Sequence, residues 1–158
     1  MGVGVPSMKT LIVCQSTHHG NTMKVAQVMA EELGAEIRKP SEVAAGDLDG
    51  YDLVGFGSGI YNQKHHVSLF RLVDSLESPR NGKCFIFSTA STCYTKPHQP
   101  LKTALAAKGF DVLDEFVCRG FMDYSFTKFL FGGINKGRPN AGDLSAARAF
   151  ASKLKESR

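Results

Sequence analysis

Leu11-Ile12-Val13-Cys14-Gln15-Ser16-Thr17-His18-His19-Gly20-Asn21-Thr22 is a short apolar run that stops at a turn of hydroxyls and glycine. A helical pattern starts at once: Met23, Ala26, Met29, Ala30 and Leu33 fall on one face, and Gly34 stops it. Strand, turn and helix in this order aim backbone N–H groups, hydroxyls and the positive end of a helix at one spot. Such a spot holds an anion well, most often a phosphate. Taken alone, the same turn also fits an ordinary helix start capped by Asn21 or Thr22.

The pattern continues outward. Strands are predicted at residues 8–14, 35–38, 51–57, 83–88 and 110–118. Helices are predicted at 22–33, at 66–76 through Leu69, Leu72, Val73 and Leu76, near 99–108, and at 143–155. Strands that are nearly all apolar, alternating with helices, argue for a parallel sheet covered on both faces. The expectation is an α/β fold: a three-layer, doubly wound, five-stranded parallel sheet in the order 2-1-3-4-5. Ligands bind such sheets at the carboxyl ends of the strands.

The chain has 158 residues, 42% hydrophobic and 22% charged, which suits one soluble domain with a real core. Residues 1–7 read as a flexible tail ahead of a single domain over 8–158. No apolar run reaches the ~20 residues of a membrane span, and a cytoplasmic location is expected. The formal charge is +4, but Lys and Arg are scattered with no run of five, so nucleic-acid binding is not expected. Four cysteines form no C-x-x-C pair, which leaves no zinc knuckle or dithiol motif. Cys14, Cys84 and Cys118 read as buried thiols, and Cys93 as a loop residue.

Three loops lie at predicted strand ends. Residues 16–22 are neither G-x-x-x-x-G-K-[ST] nor G-x-G-x-x-G, which disfavours a nucleotide triphosphatase and a dinucleotide fold. Gly57-Ser58-Gly59-Ile60-Tyr61-Asn62-Gln63 combines close backbone approach with a ring that can stack on a flat ligand, or is a plain glycine-rich turn. Ser88-Thr89-Ala90-Ser91-Thr92-Cys93-Tyr94 offers small residues whose backbone can bond a ligand edge. No acidic pair ends the first strand, where Cys14 and Gln15 stand, so a phospho-acceptor receiver is set aside.

In their order and spacing these loops resemble the flavodoxin family, over nearly the whole chain from Met8 onward. Gly20-Asn21-Thr22 is similar to the G-N-T ending of the family's phosphate loop, and Gly57 to Tyr61 to its ring-stacking loop. The resemblance implies non-covalently bound FMN and no metal. It implies that Ser16, Thr17, His19, Gly20, Asn21 and Thr22 hold the phosphate. Gly59, Ile60, Tyr61 and Asn62 would line the ring, with Tyr61 stacking on it. Ser88, Thr89, Ala90 and Ser91 would meet its pyrimidine side through backbone groups.

The chain departs from the family pattern in three ways. His19 stands where Thr or Ser usually precedes the glycine, and Asn62-Gln63 stands where a glycine peptide usually reorients on reduction. Typical members are acidic around the ring, whereas Lys64, His65, His66, Lys96 and His98 lie in or beside these loops. A positive charge ~8 Å from the ring at an effective dielectric of ~20 is worth about 2 kcal/mol, which would raise the reduction potential unless the side chains point into solvent. Residues 120–142 hold Phe121, Met122, Tyr124, Phe126, Phe129, Leu130, Phe131 and Ile134. They read either as a packed satellite or as a lid, docking or dimer surface.

The function expected is FMN-dependent electron transfer between redox proteins, with an acidic partner such as a ferredoxin-like protein or a reductase. A carrier is expected rather than a turnover enzyme, so no residue is assigned as catalytic. The alternatives are a small FMN-dependent oxidoreductase acting on a quinone or porphyrinogen, and a non-redox binding module on the same fold.

Overall fold

The computed structural model describes residues 8–17, 20–78, 81–91, 93–119 and 138–156. In it the N-terminal apolar run is β1 (Thr10–Gln15), whose first five residues are buried. Its side chains alternate between two cores, as a strand covered on both faces requires. Leu11 and Val13 join one cluster and Ile12 and Cys14 the other. The first helix, α1 (Asn21–Leu33), packs Val25, Ala26 and Met29 into the second cluster and ends at Gly34, whose φ of 64° closes it.

β1 pairs in parallel with β2 (Glu36–Arg38) on one side and β3 (Leu53–Tyr61) on the other. After β3 come β4 (Lys64–His65), α2 (Val67–Ser75), β5 (Gly82–Ala90), α3 (Gln99–Ala107), β6 (Phe110–Arg119) and α4 (Ala141–Glu156). The sheet order is β2-β1-β3-β5-β6, so the five principal strands take the predicted 2-1-3-4-5 arrangement. Leu69, Leu72 and Val73 of α2 and Leu101 and Leu105 of α3 cover one face. On the other face, Ala147, Ala151 and Leu154 of α4 pack alongside α1.

Three details depart from the sequence expectation. β4 is an added two-residue strand, antiparallel to the end of β3 through Ile60 opposite His65 and Tyr61 opposite Lys64. That pairing extends β3 four residues past the predicted end at Gly57. Asn62 and Gln63, with φ of 50° and 61°, make the two-residue turn between these strands. Finally, α1 starts from Gly20, with φ of 64° and no side-chain cap, rather than from a capping Asn21 or Thr22.

At the start of α4, Asn140 and Asp143 cap each other's backbone N–H, while Arg138 pairs with Asp143. The tail 1–7, and residues 120–137 of the aromatic stretch, lie outside the described residues. Cys14, Cys84 and Cys118 are buried and Cys93 is exposed, as read from the sequence. Burial pushes the three interior thiols up to about 12, which makes them inert at neutral pH. Among the described residues no helix is long and apolar enough to cross a membrane.

Candidate functional site

β1, β3 and β5 are adjacent and parallel, so the loops that leave their carboxyl ends converge. Two contacts among the described residues join them. The hydroxyls of Thr17 and Tyr61 are hydrogen-bonded, linking the first loop to the second. Thr22 Oγ1 lies 2.7 Å from Thr89 Oγ1, linking the start of α1 to the end of β5. Ser16 Oγ accepts the Met23 N–H at 3.2 Å and so does part of a cap's work from outside the helix.

The structure brings together most of the residues assigned from the sequence. Ser16, Thr17 and Gly20 are half-buried around the turn, and Asn21 and Thr22 are buried at the start of α1. His19 lies outside the described residues. The Tyr61 ring folds back over Gly59: a Cβ there would sit 3.2 Å from the Tyr61 hydroxyl. The Tyr61 ring also meets His66 edge-on at 5.3 Å. Ile60 is half-buried beside it, and Asn62 is exposed at the turn. In the third loop, Ser88 and Thr89 are paired on both sides, with Ser58 and Val117 and with Gly59 and Cys118. Their backbone is therefore committed to the sheet. Ala90 is paired only with Arg119, and Ser91 lies past the ladder, so these two carry the backbone groups nearest the open end.

The donor set suits a phosphate-bearing group. The first turn of α1 holds no acidic side chain. Residues 10–30, 53–73 and 78–110, which include all three loops, contain no Asp or Glu. These stretches thus offer an anion hydroxyls and a helix N-terminus and contribute no carboxylate of their own to oppose it.

One sequence reading is corrected. His65 and His98 are not surface cations beside the loops, nor do they point into solvent. They are 1% and 0% exposed, in a polar layer on the α2 and α3 face of the sheet. His65 Nε2 donates to the Phe87 carbonyl at 3.0 Å. His98 Nε2 lies 2.7 Å from Ser88 Oγ, and its Nδ1 lies 3.1 Å from Glu115 Oε1. Lys102 Nζ holds the other carboxylate oxygen at 3.2 Å. Desolvation, reinforced by the neighbouring His98, pushes His65 down to about 3. Burial and the Lys102 ammonium push His98 down to about 4. The His98–Glu115 contact is thus an ion pair by distance only; at neutral pH a neutral imidazole donates to a carboxylate. Lys64 and Lys96 are the exposed cations that remain beside the loops.

Sequence reasoning missed this layer, in which Ser58 Oγ also accepts the His66 N–H at 2.9 Å. It also missed a groove of about 1040 Å³ lined by Gln63, Tyr94, Lys96, Pro97, Pro100 and Thr103, beside the 62–63 turn. Tyr94, 67% exposed there, is the one signal that a sequence carries: a large ring in a loop of small residues.

Comparison with known proteins agrees with this geometry. An uncharacterized protein of Methanocaldococcus jannaschii is 46% identical over 149 residues, covering 93% of this chain and 98% of its own. Among solved structures, oxidised flavodoxin 2 from Bacillus cereus superposes with a TM-score of 0.72 at 17% identity, over 95% of this chain and 99% of that one. A flavodoxin from the domain Archaea gives 0.68 at 15% identity, over 95% and 98%. These structural likenesses carry the fold. The family described as "Flavodoxin domain" matches residues 12–130, most of the chain, and the chain belongs to that family.

Proposed function

We propose that the protein binds FMN non-covalently and carries electrons between redox proteins. The observation that supports this reading most is the convergence of three carboxylate-free loops, tied by Thr17–Tyr61 and Thr22–Thr89, at the carboxyl end of the central strands. In this reading Ser16, Thr17, His19, Gly20, Asn21 and Thr22 hold the phosphate. Gly59, Ile60, Tyr61 and Asn62 line the ring, and Ser88, Thr89, Ala90 and Ser91 meet its pyrimidine side. FMN supplies redox chemistry in single-electron steps. The residues bind and orient it, and transfer through an exposed ring edge needs no catalytic acid or base. The acid-free stretches with exposed Lys64 and Lys96 favour an acidic partner, ferredoxin-like or a reductase. A cytoplasmic site of action suits the reduced state of all four cysteines.

The groove beside the 62–63 turn favours a second reading, an FMN-dependent oxidoreductase with a quinone or porphyrinogen seated against Tyr94, Pro97 and Pro100. Anaerobic reductive titration of the purified protein with FMN separates these readings. Two distinct one-electron waves support the carrier, and steady turnover of a quinone supports the oxidoreductase. A protein that stays colourless with added FMN overturns both, leaving a non-redox binding module.

A further inference from the structure

We propose that Ser88, His98 and Glu115 form a proton-operated latch, in which neutral His98 fastens the 91–98 loop to the end of β5 and protonated His98 lets it open. His98 is the positioning residue, and the consequence for ligand binding rests on the reading of FMN at this loop.

The hydrogen bonds allow one assignment. A carboxylate only accepts, so the proton of neutral His98 sits on Nδ1 and is donated to Glu115 Oε1. Nε2 is then the acceptor for the Ser88 hydroxyl. Ser88 is fully buried and two residues ahead of Ala90, where the strand turns into the loop. His98 closes the 3₁₀ turn Lys96–His98 at the far end of that loop. One ring thus joins both ends of the loop to β6.

Its surroundings resist a charge. From β4 it is faced by His65, whose ring centroid is 4.8 Å away and whose buried Nδ1 has no hydrogen-bond partner among the described residues. From α3 it is faced by the Lys102 ammonium, from β6 by Glu115, and from β5 by the Ser88 hydroxyl alone. A proton on Nε2 removes the acceptor of Ser88 and sets a cation beside a second imidazole, with one carboxylate already shared with lysine. In an opened loop His98 regains its ordinary value of 6.5, against about 4 when latched. Opening therefore takes up one proton. Its equilibrium rises up to tenfold per pH unit as pH falls between those values.

The test is native-state hydrogen exchange of amides 93–105 from pH 4.5 to 7, alongside FMN dissociation constants over the same range. In the wild type the opening equilibrium should rise close to tenfold per pH unit below about 6.5, corrected for intrinsic exchange. FMN affinity should fall more steeply than titration of its phosphate, near pH ~6, accounts for. In His98→Gln the opening equilibrium should be flat with pH, and the pH dependence of FMN affinity should be shallower than in the wild type by up to one proton. An equal pH slope in wild type and His98→Gln, or no slope in the wild type, overturns the latch. If His98→Gln does not fold, Ser88→Ala decides. Protection lost only across the loop supports the latch, and protection lost across the whole sheet overturns it. A wild type that binds no FMN at any pH overturns the flavin reading, while hydrogen exchange still decides the latch.

Discussion

The side-chain oxygens of Thr22 and Thr89 meet at 2.7 Å across the sheet's carboxyl end, and both residues are buried, at 2% and 4% exposed. Replacing one threonine leaves the other hydroxyl stranded, which costs about 1–3 kcal/mol. Replacing both leaves two apolar groups of the same shape, which is nearly neutral. Thr22→Val and Thr89→Val should each lower stability by about 1–2 kcal/mol. The double variant should be destabilised by less than the two losses added together. Urea unfolding of the four proteins provides the double-mutant cycle, and strictly additive losses would show that the hydroxyls do not depend on each other.

Gly57 faces the ring of Phe87. A Cβ there would lie 2.2 Å from the ring, and Phe87 is fully buried with nowhere to shift. Gly57→Ala should cost about 3 kcal/mol or more, a severe case of overpacking. Gly57→Ala with Phe87→Leu should recover part of the loss, read as the thermal midpoints of the three proteins. Full stability of Gly57→Ala would mean that the ring is not packed there.

This glycine marks where sequence reading stopped. The pattern of Leu11 to Leu33 and the apolar strands carried the layer order and the sheet order, because both follow from local periodicity. Gly57 was legible as a close approach, but the approaching group is the Phe87 ring rather than a ligand. Which face of a strand a neighbour's ring crosses is set by strand register, and no local pattern encodes it. β4 is two residues long and has no periodicity to read. For that reason His65, which it turns inward, resembled a surface cation in a Lys-His-His run. The turn after β1 and the helix start beside Thr22 were legible because turn chemistry and helix starts are local, whereas the Thr17–Tyr61 contact, 44 positions apart, was not. The Ser88–His98–Glu115 chain joins residues 10 and 17 positions apart and was not.

The turn at 62–63 holds two non-glycine residues at positive φ, and Gln63 is the less suited to it. A left-handed conformation costs an ordinary side chain roughly 1–2 kcal/mol, and Asn-Gly is the preferred pair for such a turn. Gln63→Gly should therefore raise stability by about 0.5–1 kcal/mol, after the extra chain entropy of glycine in the unfolded state. A raised denaturation midpoint at unchanged m-value is the expected readout. A lowered midpoint would mean that the Gln63 side chain contributes more than its backbone costs.

Acid sensitivity should come first from histidine. His65 and His98 are pushed by burial to about 3 and about 4, from an ordinary value of 6.5. As pH falls below 6.5 the unfolded chain takes up both protons and the folded chain takes up neither, so the unfolded state binds more protons. Stability then rises with pH: it is fully present above about 6.5 and is lost progressively as pH falls toward 4. Two protons correspond to a limiting slope of about 2.7 kcal/mol per pH unit. His66, pushed down by partial burial and Arg71, adds loss in the same direction. Urea unfolding at half-unit steps from pH 7 to 5 should steepen toward this slope, and in His98→Gln the histidine slope should fall by about one proton. A stability flat across pH 5–6.5 would mean that these imidazoles are charged or solvated in the folded chain, and the polar layer beneath the loops would have to be redrawn.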